Sequence, residues 1–530
     1  MRKLSRKELF TSITLFLVFF VCAIFSAFLR GVPGYMDESY YLVSARNLAA
    51  GNGFQENLIW NFMDDPEGLP HDSHLYWMPM VSIISATGMK VFGLNYLAAS
   101  LPHALIAAFI APCVYLSLKL WIKDQFWAVV GGILAILGGY YFAYYSAGDA
   151  FSLYMLIGYG YFVVISRIFT QNQRNIVISG LTTGGLAGIM HLTRADGLIW
   201  AAMIPFFFTF AAIIAHKQGK ISLRPYILGA VLGLGLYFLF MSPWYLRNLE
   251  NFGSLTAKGS SSNLFITTYN DLFSYPATVV TLQRWLETGW AILLRQRADA
   301  AATNLLSILG VQLLVFQLPF ALVGVWNNRK SVWVQVNLFC MAILFIFFSV
   351  LFPLAGQRGG FFHSGTAFQI FLWVMSISGL RAVVVKLPLS EGINRNKFEQ
   401  FIGVGFLFIV LTVSGVLSFP KFSSWDAGVS EIVEIEHALE ESEISTEEII
   451  LINDPATFHW VTFRPTIVIP SGDESTILSV MDRYGADLVV LQINHPPELS
   501  GLYLAPSDSE SFDVVHAQDT WFILRKVSQE

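Results

Sequence analysis

Leu9-Phe-Thr-Ser-Ile-Thr-Leu-Phe-Leu-Val-Phe-Phe-Val-Cys-Ala-Ile-Phe-Ser-Ala-Phe-Leu29, followed at once by Arg30-Gly-Val-Pro-Gly-Tyr-Met-Asp-Glu-Ser-Tyr-Tyr41, decides the architecture. About 20 apolar residues suffice to cross the ~30 Å hydrocarbon core of a bilayer. A secretory leader would have a shorter apolar core and a small-residue cleavage site. Arg30-Gly-Val-Pro is no such site, so the run reads as a retained first span. The chain then leaves the membrane carrying two adjacent acids, Asp37 and Glu38.

The rest of the chain repeats this pattern. It has 530 residues, 55% hydrophobic and 13% charged, against about 25% charged in soluble domains. Further apolar runs fall near 95–118, 126–147, 150–166, 175–193, 197–215, 226–246, 303–326, 332–354, 364–385 and 400–419. With the first they predict about eleven helical spans, because lipid offers no partner for backbone N–H and C=O groups. Cys22, Cys113 and Cys340 all lie in apolar runs, which excludes a cysteine-based metal or redox centre. No dinucleotide fingerprint, P-loop or internal repeat is present, and no nucleic-acid partner is expected.

Charge tests the count. With the N-terminus in the cytoplasm, the alternating inner loops hold Arg2, Lys3, Arg6 and Lys7; Lys119 and Lys123; Arg167 and Arg174; Lys217, Lys220 and Arg224; Arg329 and Lys330; Arg381, Lys386, Arg395 and Lys397. That is 17 of the 27 basic residues before position 421, the bias that cytoplasmic loops carry. The C-terminus is then extracytoplasmic, and a plasma (inner) membrane is the expected location.

Two long loops, 30–94 and 247–302, fall outside under this topology, as does the tail. The division is a membrane domain, 1–420, and an extracytoplasmic domain, 421–530. The tail has 20 acidic and 5 basic residues, against 17 acidic and 27 basic before it. Strand-like runs (Ile449–Asn453, Thr466–Pro470, Ala486–Gln492, Trp521–Val527) alternate with helix-like ones (Ser430–Glu440, Asp473–Tyr484), which predicts a small α/β domain.

Candidate chemistry gathers on the outer side. Asp37 and Glu38 open an amphipathic helix that ends at Gly51. They read either as N-terminal helix acids or as catalytic acids. Asp149 returns a carboxylate to the same side and depth, and as a lone residue it reads as a cap. Arg194, Arg247 and Arg358, with His363, break the rule that outer loops are poor in cations. Each of these arginines either snorkels or pairs with an acid, or binds an anionic substrate through its planar fork. A stretch from His74-Leu-Tyr-Trp-Met-Pro to Val91-Phe-Gly has the character of an interfacial helix.

Taken in order, these residues resemble the GT-C superfamily of glycosyltransferases, of the protein O-mannosyltransferase and aminoarabinose–lipid A transferase type. The marks are Asp37-Glu38 after the first span, Tyr76-Trp77-Met-Pro before the interfacial helix, the Asp149 turn, Leu192-Thr-Arg-Ala-Asp-Gly, and Pro243-Trp-Tyr-Leu-Arg-Asn-Leu-Glu-Asn-Phe-Gly. The resemblance covers roughly residues 10–420. It implies an inverting transfer from a polyprenyl-phosphate-linked sugar to a hydroxyl of a protein, lipid or glycan. It gives Asp37 as general base, Glu38 and Asp149 as its support, and Arg247 for the lipid phosphate, with Arg358 and Arg194 behind it. Members of the superfamily often carry a basic residue and paired prolines before the interfacial helix, whereas the stretch in this chain is His74-Leu-Tyr-Trp-Met-Pro. His74 or Lys90 is then the candidate substitute. The chemistry requires no cofactor, although a divalent ion on Asp37, Glu38, Asp149 and a histidine would also be compatible with it. The competing classes are a secondary transporter, whose charges would sit near the midplane, and a non-catalytic lipid-binding membrane protein.

Overall fold

The computed structural model describes residues 4–170, 175–219, 222–256 and 259–527. Arg2, Lys3, Arg174 and Lys220, which enter the charge alternation, lie outside the described residues. Helix α1 (Arg6–Arg30) starts at a reciprocal cap between Ser5 and Glu8 and stops at Gly31 with φ +66°. Leu15, Phe19 and Ala23, spaced by four, face the bundle, while Phe10, Phe25 and Phe28 face outward. This is a lipid-solvated helix with one packed stripe.

Among the described residues, nine helices are long and apolar enough to cross a membrane. The runs 126–147 and 303–326 are interrupted helices. In the first, Gln125–Leu137 ends at Gly138 and continues as a 3-10 turn over Gly139–Tyr144. In the second, Trp290–Leu306 passes through a π-turn, Ser307–Gln312, before Leu318–Asn328. Leu314 and Val315 between them have positive φ. Irregular backbone at membrane depth is tolerated only inside protein or along a cavity. Both breaks adjoin the packed core that contains Tyr141, Tyr145 and Leu313. Elsewhere the helices pack closely through small residues. A Cβ on Gly180 or Gly184 would collide with the backbone of Gly229 or Gly233, the close approach expected of small-residue seams.

At one end of the bundle, α2 (Met36–Ala50) leads into a long loop and then α3 (Met80–Phe92). The loop carries β1 (Gln55–Glu56), β2 (Leu58–Ile59) and β3 (His71–Asp72), with β1 and β3 antiparallel. The remaining strands are β4 (Ile450–Ile452), β5 (Thr466–Val468), β6 (Leu488–Gln492), β7 (Phe512–Ala517) and β8 (Trp521–Lys526). They form one sheet in the order β2-β5-β4-β6-β8-β7. The expected strands at 449–453, 466–470, 486–492 and 521–527 are all present.

Three features were not expected. The run Ser430–Glu440 is the end of a single helix, Arg395–Glu441, which passes unbroken through position 421. The helix Pro455–Thr462 and β7 had no sequence signal. Most consequentially, the edge strand β2 comes from the first loop and pairs in parallel with β5. Ile59 and Phe62 join the core of the sheet with Ile467, Ile477 and Leu499. Full burial of such side chains stabilises by about 1.5–3 kcal/mol each, so the loop and the C-terminal domain form one packed body. The second loop joins as well, through a parallel bridge between Ser274 and Ser471.

Candidate active site

The two acids at the start of α2 have opposite surroundings. Tyr35, at the N-cap, has extended backbone and gives no side-chain cap. Glu38 takes the capping role by reaching back to the Gly34 N–H at 2.8 Å. It also forms an ion pair with Arg30, and it accepts from the Gly148 N–H at 3.0 Å and the Tyr96 hydroxyl at 3.3 Å. The Arg30 guanidinium lies over Tyr96 and Trp425. Glu38 is fully buried, and this pocket has no room for a substrate.

Asp37 is half-buried, and its carboxylate makes no hydrogen bond or ion pair with any of the described residues. Burial raises its pKa to about 6. The charge of His363 opposes that rise, Asp149 adds to it, and Arg194 and Asp454 act more weakly in opposite senses. A carboxylate held near neutrality and left without a partner has the properties of a general base.

Asp149 is the fixed neighbour. It accepts from the Tyr35 hydroxyl at 2.7 Å and lies 3.2 Å from His363 Nε2. The Ala150 N–H is its third donor. Burial pushes this carboxyl up, but the charge and hydrogen bond of His363, with Tyr35 and Ala150, outweigh burial and hold it at about 2. His363 Nδ1 faces the Gly359 carbonyl at 2.8 Å. Both ring nitrogens face acceptors, so the doubly protonated ring satisfies both. Phe151 stacks on it at 4.4 Å.

Arg194 is within electrostatic reach of Asp37, and Arg358 shares the neighbour Tyr269 with it. Arg194 uses Nε on Asp196 at 3.0 Å and Ser364 at 2.6 Å. Its two Nη groups make no hydrogen bond among the described residues. Burial works against its charge, but Asp196, with Tyr41, Tyr154 and Asp149, more than restores it. Arg358 is exposed and stacks on Tyr269 at 4.4 Å. Tyr269 is within electrostatic reach of both Asp37 and Arg358, and burial raises its pKa.

The other predicted residues lie in a second polar centre. Arg247 donates to the Ser73 carbonyl at 2.8 Å, approaches Asp72 at 3.5 Å and sits over Trp244 and Phe252. His74 adopts φ +60°. Its Nδ1 meets Ser73 at 2.8 Å and its Nε2 meets Ser82 at 3.0 Å. Because Ser82 donates to the Tyr41 carbonyl, Nε2 carries the ring proton. Burial, reinforced by Arg247, drives His74 down to about 3 and leaves it neutral. Trp77 stacks on Trp60 at 4.2 Å, with Tyr76 edge-on to Trp60. These aromatic rings bridge the two centres, since Tyr76 also feels Asp37. Lys90 is exposed in the last turn of α3. It lies about 15 Å along the helix from Met80, so it does not join either centre.

Glu56 had no sequence signal. Its carboxyl is buried beside Tyr40 and His71, and burial raises its pKa well above the carboxylate range. Arg30, Tyr35, Tyr269 and Trp425 were also missed. Arg30 and Tyr35 stand in the opening motif, where the adjacency of a cation and an acid at the end of a span was the available signal.

Arg30 closes off Glu38, Tyr35 and His363 close off Asp149, and no three His, Cys, Asp or Glu side chains among the described residues form a group that could hold a metal ion.

No protein-family model matches the chain, and no curated protein matches it. Solved structures do match. ArnT from Cupriavidus metallidurans bound to undecaprenyl phosphate is 12% identical over 97% of this chain and 98% of that chain, with a TM-score of 0.55. The apo state of the same protein gives 14% identity, the same coverage and the same TM-score. The fold is therefore the one seen in these ArnT structures, and at this identity the likeness is one of fold alone.

Proposed function

We propose that this chain is a membrane glycosyltransferase that moves a sugar from a polyprenyl-phosphate-linked donor to an acceptor hydroxyl, with inversion. The observation that carries this reading is the unpartnered Asp37 carboxylate, its pKa raised to about 6 by burial, within electrostatic reach of Arg194, whose two Nη groups are free among the described residues. That ArnT is found with undecaprenyl phosphate supports the donor class.

Asp37 takes the proton from the acceptor hydroxyl. The resulting oxygen attacks the anomeric carbon as the bond to the phosphate oxygen breaks. The electron pair leaves with the phosphate, which needs cations more than a proton. Arg194 and Arg358 suit that task. Arg247 is committed to Asp72 and the Ser73 carbonyl, and so forms the wall of the second centre in this reading. Asp149 and His363 fix the field around Asp37. Glu38 anchors the helix that carries it.

The domain-bearing end of the bundle faces outward in this reading, in agreement with the alternation of basic loops. The test is mass spectrometry of glycans and glycolipids from cells with and without the active chain. A sugar-bearing product that disappears with the chain supports the reading. Unchanged products, together with solute uptake into sealed vesicles, would replace it with transport.

A further inference from the structure

The C-terminal domain does not merely follow the bundle. Its helix Pro455–Thr462 lies against α2. Ser39, two residues after Asp37, is fully buried, and its hydroxyl meets that of Thr457 at 2.8 Å. Thr457 donates its own hydroxyl proton to Asp454 Oδ2 at 2.7 Å. The direction is therefore set: Ser39 donates to Thr457, and Thr457 donates to Asp454. Further along α2, Arg46 donates to the carbonyls of Trp460 and His459 at 3.1 and 3.3 Å. Those carbonyls lie at the end of the Pro455–Thr462 helix, where a cation is favourable. The Arg46 guanidinium also stacks on Trp460 and Phe463.

We propose that the C-terminal domain completes the site by clamping α2 through Thr457 and Arg46, and that Asp454 is a positioning residue acting on Asp37. The ordinary role of Asp454 is to cap its own helix, where Oδ1 accepts the Thr457 N–H at 3.0 Å. A cap needs an acceptor but not a charge, and asparagine caps as well as aspartate. Asp454 is half-buried, and its charge reaches Asp37 alongside those of Asp149, His363 and Arg194. Tyr41, Tyr76 and Tyr269 also lie within electrostatic reach of Asp37. The domain thus adds, near Asp37, a carboxylate that comes from outside the bundle. Its charge makes Asp37 hold a proton more tightly, which strengthens it as a base.

The inference rests on Asp37 being the working carboxylate, but its test needs no sugar donor, so its failure is distinct from failure of the transferase reading. Full-length protein in lipid nanodiscs is treated with a carbodiimide and an amine across about pH 4 to about pH 8, and mass spectrometry reads the fraction of Asp37 modified. In Asp454→Asn the midpoint should move toward lower pH with the fold intact. An unmoved midpoint in a folded variant overturns the charge role. Thr457→Val keeps Asp454 but breaks the relay, and hydrogen exchange at the amides of the first turn of α2 should accelerate severalfold. Thr457→Ser should restore slow exchange. Unchanged exchange in Thr457→Val overturns the clamp, and that variant decides the matter if Asp454→Asn does not fold.

Discussion

Two pockets flank the first turn of α2, and they are built on opposite principles. On one side Arg30, Glu38, Gly34 and Gly148 close on one another beneath Trp425, and every charge there is spent inside the protein. On the other side Asp37 stands open within reach of Arg194, whose Nη groups are left over among the described residues, and Tyr269 links it to Arg358. The first pocket is a joint, and the second is where the proposed reading puts the chemistry. In the proposed reading, one dipeptide supplies both an anchor and a reactive group. Glu38 absorbs the helix-end and ion-pair roles that a carboxylate at this position would ordinarily fill, and Asp37 is left without them.

The largest expected effect breaks the joint. Arg30→Met leaves Glu38 buried without its partner, and loss of one member of a buried pair costs about 3–5 kcal/mol. Thermal unfolding in detergent should show a large loss of stability in Arg30→Met and almost none in Asp37→Asn. Equal losses would erase the distinction between the two pockets.

A smaller effect sharpens the open side. Hydrogen bonds to charged groups are worth about 1.5–3 kcal/mol. Arg358→Ala or Arg194→Ala should therefore weaken binding of undecaprenyl phosphate by one to two orders of magnitude. Arg247→Ala should weaken it much less. If Arg247→Ala has the larger effect, the phosphate belongs to the second centre. The smallest effect is that of pH. Asp37 is a base only when ionised, so transfer should fall below about pH 6, by about tenfold per unit. Asp149, held at about 2, adds no limb above that. A rate that stays level down to pH 4 would remove Asp37 from the proton transfer.

Much of this was legible in the chain. Apolar runs and basic loops gave the spans, because lipid imposes one solution on the backbone. The breaks at Gly138 and Leu314 were hidden, because their runs are as apolar as those of continuous helices. Asp37, Asp149, Arg194 and His363 were marked by motif and placed together by the fold. The division of labour between Asp37 and Glu38 was not legible, since it depends on where the Gly34 and Gly148 N–H groups point. Nor was the contribution of Ser39, Arg46 and Asp454. Their contacts cross more than 400 residues of chain, and no local pattern reports a strand such as Leu58–Ile59 joining a sheet formed at the other end of the sequence.

The most direct measurement is the sugar-bearing product itself, followed by mass spectrometry in cells that carry either the native chain or Asp37→Asn, with membrane insertion checked in both. A positioned general base contributes about 10²–10⁴-fold. The account predicts a normally inserted Asp37→Asn protein whose product falls by that factor. Product at the native level from that protein would contradict it.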